Sequence, residues 1–394
     1  MAFRPYYLAK EWVRLGHEVT IVAASYSHLR SKQPAVIEGL CSDLIDGIDY
    51  RWIKTRHYDM NGIGRFLNIA QFIYGLFKNS SYLAQRVAPD VVIASSTYPM
   101  DIWPARLIAK KAKAKLVFEL HDVWPQFLVE VGGLHALHPF VLLTAIAERA
   151  VYNSADKIVS MLPAIHGHCK KRGYNIANVT VIPNGISLSD WDSQETLRLP
   201  VNIDDIIQKA KTNNQRIVCY TGAHGIPNDL DNLLDAASLV TELPVIFLLV
   251  GDGHHRTQLV ERVKREKLHN VHMVRSVSKQ MIPRILEAID ITFIGAKKQP
   301  LYQHGISPNK MVDYMMSARP IISAIAAGND PVGDAKCGLT VEPDNPQALA
   351  IAIRTLSMLN DEELYAYGAS GKTYVEENYI YDVLASRFLG AIAD

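Results

Sequence analysis

The sequence has few cysteines, no long apolar run and almost no net charge. Its four cysteines lie far apart and form no C-x-x-C pair, which argues against a structural zinc site and is typical of a reducing compartment. No uncharged apolar run is long enough to span a bilayer, and the first residues lack the pattern of a secretory signal. The 41 basic and 40 acidic side chains give no overall field that would attract nucleic acid. We therefore expect a soluble or peripheral protein that does not bind nucleic acid.

What the sequence does contain is a regular alternation of short apolar, β-branched runs with helical patterns. Eleven runs are predicted as strands: 18–23, 89–94, 115–120, 156–160, 179–182, 216–220, 244–250, 270–274, 289–294, 320–322 and 339–341. Such runs, separated by helices, are typical of parallel sheets that are covered on both faces. The pattern stops in a polar stretch at 187–214 and then starts again. We therefore predict an α/β protein with two doubly wound, Rossmann-like domains.

The predicted domain boundaries follow from this break. Residues 1–190 form the first domain and residues 200–372 the second, while residues 373–394 form a C-terminal helix that crosses back to the first domain. A doubly wound domain normally opens with a strand and a glycine turn, but here a helix at Pro5–Leu15 comes first. The first domain is therefore expected to lack its opening strand.

Two glycine turns follow consecutive strands of the second domain. Their notable residues are Gly222, His224, Gly225, Gly251, Gly253 and Arg256. Glycine lets the backbone approach a ligand and aim N–H groups at it, and a histidine or an arginine there can bind a phosphate. Alternatively, His224 and Arg256 are exposed side chains of ordinary turns. Neither turn has the G-x-G-x-x-G spacing of a dinucleotide site.

A third site is indicated where a loop turns into a helix after residue 303. Pro308 suits a first helical turn, Asn309 and Lys310 follow it, and Asp313 lies one turn further on. A helix N-terminus carries about half a positive charge and Lys310 adds a full one, which suits a nucleoside diphosphate. Asp313 would then meet the ribose hydroxyls. The other interpretation is an ordinary loop–helix–strand unit with an incidental lysine.

A candidate acid–base site closes the predicted strand at 115–120. Glu119, His121 and Asp122 place three ionisable groups at the carboxyl end of this strand, with His121 contacting a substrate and Asp122 orienting it. A capped strand end with a hydrogen-bonded histidine is the alternative. No metal ligands cluster in the sequence, so neither a metal nor another cofactor is expected.

Residues 62–82 predict an aromatic-rich amphipathic helix that can lie on a membrane surface. Five basic residues at 106–115 would add attraction to anionic lipid, at about 1 kcal/mol per charge. A helix that faces the protein core explains the same pattern.

Taken in order, six stretches make the chain resemble the family 4 glycosyltransferases of GT-B architecture along almost its whole length. They are 4–20, 119–125, 181–186, 220–222, 250–253 and 305–320. Within that family the chain is most similar to bacterial enzymes of the fucosamine transferase type, which build O-antigen or capsular polysaccharide. The resemblance implies two Rossmann-like domains that face an interdomain cleft. It also implies transfer, with retention, of a sugar from a nucleotide donor that is usually UDP-linked, without a metal.

The resemblance further implies partners and residue roles. The acceptor is lipid-linked or a saccharide, and the enzyme is cytoplasmic or peripheral on the inner face of the plasma membrane. The turn Gly222–Gly225, Arg256 and Lys310 match positions near the donor diphosphate. Arg275 matches a position near the nucleobase, and His121 matches a histidine beside the transferred sugar.

Three departures from the family pattern are visible. Asp313 takes the place of the second acid of the family's E-x7-E pattern, which meets the ribose, but Gly305 stands where the first acid is expected. Asn228 and Asp229 occupy the region of a usual basic pair, for which Lys310 can substitute. The third departure is the opening strand with its glycine turn, which helps to form the acceptor site. Two alternatives therefore stay open: a UDP-sugar epimerase of the same fold, and a truncated, non-catalytic remnant that binds nucleotide.

Overall fold

The computed structural model describes residues 4–28, 30, 32–36, 39–58, 62–192 and 197–393. These residues form two compact units. The first unit contains the described residues up to Pro183 and those from Tyr381 onwards, and the second runs from Asn184 to Ile380. Within the described ranges, no helix is long and apolar enough to cross a membrane.

The first unit is built from two sheets with helices packed on them. Its helices before Pro183 are α1 (Arg4–Arg14), α2 (Ile63–Lys78), α3 (Ser80–Tyr82), α4 (Ile102–Ala112), α5 (Gln126–Glu130), α6 (Pro139–Ser154) and α7 (His166–Lys171). Its strands are β1 (Thr20–Ala24), β2 (Leu40–Ile45), β3 (Ile48–Ile53), β4 (Val91–Ala94), β5 (Lys115–Leu120), β6 (Lys157–Ser160) and β7 (Val179–Val181). One sheet has the order β1-β3-β2, and the other has the order β4-β5-β6-β7 with all its pairs parallel.

The second unit is built around a single parallel sheet. Its helices are α8 (Leu188–Asp192), α9 (Val201–Thr212), α10 (Leu230–Ser238), α11 (Arg256–Arg265), α12 (Ile282–Glu287), α13 (Asn309–Met316), α14 (Pro331–Asp334), α15 (Pro346–Ser357) and α16 (Asp361–Asn378). Its strands are β8 (Arg216–Thr221), β9 (Val245–Val250), β10 (Val271–Val274), β11 (Ile291–Gly295), β12 (Ile321–Ala324) and β13 (Gly338–Thr340). Each of the eleven runs predicted from the sequence overlaps a strand, so the predicted α/β class is confirmed.

The strand order of the second unit marks its ligand edge. The order is β10-β9-β8-β11-β12-β13, so the chain winds from β8 to one side and then returns to the other side with β11. This 3-2-1-4-5-6 order is that of the doubly wound nucleotide-binding sheet, in which ligands bind outside the carboxyl ends of the strands where the winding reverses. The ends of β8 and β11 are therefore where a ligand is expected.

The apolar runs form strands because both faces of this sheet are covered. Successive side chains of a strand point to opposite faces. Phe247 of β9 packs in one cluster with Leu233 of α10, whereas its neighbour Leu248 packs in another with Ile203 of α9. Because each face needs an apolar side chain, all six positions of β9 are buried, and the strand reads as one continuous apolar run.

One pair of strands was not predicted from the sequence. β2 pairs antiparallel with β3, and β3 pairs parallel with β1, so this sheet is mixed rather than purely parallel. The turn between β2 and β3 is Asp46-Gly47, with φ of 50° and 80°. An Asp-Gly pair between two strands is a strong hairpin signal, since both turn residues need positive φ. That dipeptide would have revealed the hairpin.

The C-terminal segment holds two helices rather than the single one expected at 373–394. α16 ends at Asn378, and a new helix, α17 (Tyr381–Ala393), packs against α1 in the first unit. The break between them is fixed because Ile186 forms a parallel bridge with Ile380 and donates its N–H to the Tyr379 carbonyl at 2.9 Å. The structure divides the chain at Pro183 and at Ile380, and the predicted polar stretch 187–214 contains α8 and α9.

Candidate functional site

Two glycine turns meet at the carboxyl end of the central strands of the second unit. The Gly222 N–H donates to the Val250 carbonyl at 3.0 Å, and the His224 N–H donates to the Asp252 carbonyl at 2.9 Å. These bonds continue the pairing of β8 with β9 beyond the strands. A Cβ atom on residue 251 would lie 1.8 Å from the Gly222 carbonyl oxygen. Gly251 is therefore required by the approach of the two turns to each other.

The same packing accounts for Gly253 but not for Gly225. Gly253 has φ +159°, and a Cβ atom there would lie 2.4 Å from the carbonyl oxygen of His224. Gly225 has φ −116°, which any residue can adopt, and the atom nearest to an added Cβ is a His254 carbon at 3.3 Å.

The side chain of His224 lies inside the turn, not on the surface as an ordinary turn would place it. It is fully buried, and neither ring nitrogen has a hydrogen-bond partner among the described residues. Burial, and then the nearby charge of Arg256, lower the pKa of His224 to about 4. The imidazole is therefore neutral at neutral pH, where it can supply a dipole or a single N–H but carries no charge.

Lys310 brings an ammonium group to the first of these turns. Lys310 is the second residue of α13, and its Nζ lies 2.9 Å from the Tyr220 hydroxyl and 2.8 Å from Oδ1 of Asn228. A Cβ atom on Gly222 would lie 3.2 Å from the same Nζ, so the lysine rests directly on the turn. The predicted meeting of a glycine turn and a lysine-bearing helix start is thus present within one unit.

The start of α13 differs from the prediction by one residue. Pro308 has φ −74° and ψ 128°, so it precedes the helix, and Asn309 is the first helical residue. The unpaired N–H groups of such a helix start carry partial positive charge. Asp313, one turn after Lys310, is partly buried, and burial raises the pKa of its carboxyl group to about 6.

The two predicted arginines share one carboxylate. Oδ1 of Asp252 lies 3.5 Å from Arg256 and 3.4 Å from Arg275. Its other oxygen accepts from the N–H of Ser276 at 3.0 Å and from the Ser276 hydroxyl at 2.8 Å. These hydrogen bonds, together with the arginines, lower the pKa of Asp252. Arg256 begins α11 and is mostly buried, whereas Arg275 is mostly exposed.

A second polar cluster lies in the first unit, where β4 and β5 end. Nε2 of His121 lies 3.3 Å from the Ser95 hydroxyl and 3.5 Å from Oε2 of Glu119, and Ser95 also donates to Glu119. Arg4 pairs with the other Glu119 oxygen at 2.7 Å and donates to the Ile182 carbonyl at 2.9 Å. Burial alone would raise the pKa of Glu119, but Arg4 and His121 hold it well below its usual range.

This cluster orients His121 but is not a nucleophilic triad. In a triad the acid and the hydroxyl bind opposite nitrogens of the imidazole, whereas here Ser95 and Glu119 both contact Nε2. The predicted orienting role of Asp122 is not supported by the contacts. Asp122 lines a small cavity with Trp124 instead, and burial raises the pKa of its carboxyl group. His121 is therefore oriented by its contacts with Ser95 and Glu119 and not by Asp122, the residue that follows it in the sequence.

Sequence reasoning missed the residues that hold these groups in place. They are Tyr220, Asn228, Tyr314, Ser95 and Asp101, the last of which accepts from the N–H of Ser96, next to Ser95, at 3.0 Å. Burial raises the pKa of Asp101 to about 6, and one of its carboxylate oxygens has no hydrogen-bond partner among the described residues. Ser95 directly follows β4, so the rule that polar residues at strand ends form sites would have found it. No comparable local signal marks Tyr220 or Tyr314, which read as core residues.

The described residues contain no group of three or more side chains that could hold a metal ion. Fold and site together define a doubly wound α/β protein with two glycine turns and a lysine at the switch point of its second sheet. Residues 1–185 match the model of the glycosyl transferase 4-like domain, and residues 215–358 match the model of the glycosyl transferases group 1.

Named relatives and a solved structure agree with these matches. The chain is 22% identical over 286 residues to WcaI of Escherichia coli K12, whose name is that of a colanic acid biosynthesis glycosyl transferase, covering 70% of this chain and 68% of WcaI. It is 22% identical over 330 residues to the glycosyltransferase WbjE of Pseudomonas aeruginosa, covering 81% and 78%. The structure of Anabaena HepE with UDP-glucose has a TM-score of 0.62 at 16% identity, covering 88% of this chain and 86% of HepE.

The chain belongs to the family 4 glycosyltransferases and has the GT-B fold with two Rossmann-like domains. It is therefore a glycosyltransferase, which favours the transferase over the epimerase that the sequence left open. The likeness to HepE is below 25% identity, so it establishes the fold alone.

Proposed function

We propose that this enzyme transfers a sugar from a UDP-linked donor, with retention, to a lipid-linked or saccharide acceptor during cell-surface polysaccharide assembly. The observation that carries this proposal is the contact of Lys310 with the first glycine turn at the switch point of the second sheet. An ammonium group, a helix start and glycine turns in one crevice suit a diphosphate leaving group. The names of WcaI and of the HepE complex with UDP-glucose support the pathway and the donor.

Each polar group of the crevice has a proposed role in donor binding. The glycine turns and the first turn of α13, Pro308 to Lys310, would bind the diphosphate, with Arg256 as a second cation. Arg275 would lie near the nucleobase, and Asp313 would accept from the ribose hydroxyls. His224 would supply a neutral imidazole beneath the turn. In the first unit, His121 is proposed to contact the transferred sugar.

The donor proposal is tested by UDP binding. Calorimetry on the full chain should show that Lys310→Ala weakens UDP binding by about a hundredfold, since a charge-assisted hydrogen bond to phosphate is lost. Lys264→Ala, which removes an exposed lysine of α11, is the matched control and should bind like the wild type. Equal affinity of the two variants would refute the site. A panel of UDP- and GDP-sugars then identifies the donor, and proton NMR of the product reads the anomeric configuration.

We further propose that the first unit docks on a membrane surface through α2 and α6. The side chains of Ile63, Phe66, Tyr74 and Phe77 form one exposed stripe along α2, with Ile63 80% and Tyr74 69% exposed. The opposite face of α2 is buried, so the helix is apolar on both sides. A solvent-facing apolar stripe suits the headgroup region of a bilayer.

The stripe continues onto α6, and the sequence from α2 to the start of β5 is rich in basic residues. Phe66 and Phe140 contact each other edge to face at 5.7 Å, and α6 exposes Leu142 and Ile146. Between Gly62 and Lys115 the sequence has only two acidic residues, Asp90 and Asp101. The basic residues of the same stretch are Arg65, Lys78, Arg86, Arg106, Lys110, Lys111, Lys113 and Lys115. This charge favours a surface of anionic lipid.

Vesicle sedimentation tests the docking surface. The wild type should sediment with vesicles of phosphatidylglycerol and phosphatidylcholine, and less with phosphatidylcholine alone. The double variant Ile63→Ser, Tyr74→Ser should stay in the supernatant. Ile351→Ser is the control, because Ile351 is equally exposed, at 65%, but belongs to α15 of the second unit. Sedimentation of the double variant at the wild-type level would refute this surface.

A further inference from the structure

The ammonium of Lys310 is held by the side chains of Tyr220 and Asn228, and neither contact was predicted from the sequence. Its Nζ lies 2.9 Å from the Tyr220 hydroxyl and 2.8 Å from Oδ1 of Asn228. The same Nζ lies 4.6 Å from the centre of the Tyr220 ring, close enough for a cation–π contact. Tyr220 is fully buried, so this phenol ring has little freedom to move.

The hydrogen bonds around this ammonium can run in only one direction. Tyr220 donates its hydroxyl hydrogen to the Ala223 carbonyl at 2.8 Å, and Asn228 donates from Nδ2 to the same carbonyl at 3.0 Å. Since an ammonium only donates, the free lone pairs of the phenol and of the amide must accept from Lys310. The ring of bonds thus ties the lysine to the backbone of the glycine turn.

A second contact fixes the helix that carries the lysine. Tyr314 lies one turn after Lys310 on α13, and its hydroxyl accepts from the Thr221 N–H at 2.8 Å and donates to the Thr221 carbonyl at 3.1 Å. Tyr220 and Thr221 are the last two residues of β8. Helix α13 is therefore attached to the end of β8 at two successive residues of the strand.

We propose that Tyr220 and Asn228 are positioning residues, which hold the Lys310 ammonium at the end of β8 so that a diphosphate meets it already oriented. Two of the three N–H bonds of the ammonium point to these residues, and the described residues supply no hydrogen-bonding partner for the third. A phosphate oxygen can take the third. Most of the rotamer freedom of a lysine is lost in this arrangement before the ligand arrives, which lowers the entropic cost of binding. This inference rests on the proposed binding of a nucleoside diphosphate.

The arrangement makes the charge of the site sensitive to pH. Burial lowers the pKa of Lys310 to about 8, while the pKa of Tyr220 is raised by burial and that of His224 is lowered to about 4. The carboxyl groups of Asp313, with a pKa of about 6, and Asp252, whose pKa is lowered, stay ionised above neutral pH. Between pH 7 and 9, Lys310 is therefore the group of this set that changes charge. A bound diphosphate favours its ammonium form, so binding near pH 8 takes up a proton.

The test is UDP calorimetry on the full chain from pH 6.5 to 9.5, in buffers of different ionisation enthalpy. The variants are Tyr220→Phe, Asn228→Ala and Lys310→Met, with each of the first two also combined with Lys310→Met. Tyr220→Phe keeps the ring and removes only the hydroxyl. Tyr174→Phe is the matched control, since it removes a buried hydroxyl that donates to the Ala155 carbonyl in the first unit.

We expect Tyr220→Phe and Asn228→Ala to weaken UDP binding by about tenfold each, because each removes an acceptor from a charged donor. In both variants the pH at which UDP affinity falls to half should be lower than in the wild type. In the Lys310→Met background, each of the two substitutions should change the affinity for UDP by less than about twofold. Tyr174→Phe should lower the unfolding temperature and leave the pH midpoint in place. Equal effects of Tyr220→Phe with and without Lys310, or an unmoved pH midpoint, would overturn the positioning role alone. Failure of the wild type to bind UDP, or unchanged binding by Lys310→Met, would overturn the proposed donor site as well.

Discussion

The carbonyl oxygen of Gly222 occupies the place that a Cβ atom on Gly251 would need, since the two atoms would lie 1.8 Å apart. The two glycine turns at the switch point of the second sheet are thus packed backbone against backbone. Because backbone atoms cannot move aside as a flexible side chain can, this contact sets the shape of the crevice.

Gly251→Ala should destabilise the protein by about 3 kcal/mol or more and abolish UDP binding, because the new methyl group forces the turns apart. Gly225→Ala is the control, since its backbone is ordinary and the nearest atom to a new Cβ lies at 3.3 Å. It should change the free energy of unfolding by less than about 1 kcal/mol. Urea titration of the two variants measures the change in the free energy of unfolding. Similar losses in the two variants would show that the close approach is not the cause.

Asp313→Asn should stabilise the free protein while it weakens nucleotide binding. The folded pKa of about 6 lies above the unfolded value, so ionising Asp313 costs stability as the pH rises through about 4 to 6. The gain, of the order of 1 kcal/mol, should therefore be complete above pH 6 and vanish below pH 4. Urea titrations at several pH values measure it.

The binding half of that prediction needs a second ligand. If Asp313 accepts from the ribose hydroxyls, the loss of affinity in Asp313→Asn should be seen with UDP and not with 2′,3′-dideoxy-UDP. An equal loss with both ligands would assign the acid to another role.

Ser95→Ala should lower kcat by about tenfold to a hundredfold with little change in KM, because His121 loses the hydroxyl that orients it. Asp122→Asn should change kcat much less, since Asp122 faces a small cavity instead. The activity of both variants is measured as the rate at which UDP is released from the donor that the sugar panel identifies. A larger loss in Asp122→Asn would restore the orienting role that the sequence suggested for Asp122.

Glu119→Gln should destabilise the protein by about 3–5 kcal/mol, because it leaves the buried guanidinium of Arg4 without its counter-charge. The folded pKa of Glu119 is depressed, so this stability is present above about pH 4 and is lost as the pH falls toward the folded pKa. Asp382→Asn breaks the exposed pair with Arg14 and should cost less than about 1 kcal/mol. Denaturation at pH 7 and pH 3 compares them, and a difference that does not become smaller at pH 3 would contradict the ionic origin.

The elements of the fold were mostly legible in the sequence. A strand such as β9 is apolar at every position because both faces of its sheet are covered. Such a run can be recognised in the sequence without knowing which strands lie beside it. The β2–β3 hairpin was missed although residues 48–52 alternate between apolar and polar side chains and Asp46-Gly47 marks the turn. The break at Tyr379 and Ile380 could not be predicted, because it depends on a bridge to Ile186, far away along the chain.

Sequence alone determined that a glycine turn, a helix start and Lys310 would meet, since the carboxyl ends of parallel strands share one edge of a sheet. Only the tertiary structure decided what holds each group. It buried His224, paired both arginines with Asp252, and assigned Glu119 and Ser95 to His121. Hydrogen bonds join atoms less than 3.5 Å apart, and such distances between residues ninety positions apart, as for Tyr220 and Lys310, are set by packing and not by local pattern.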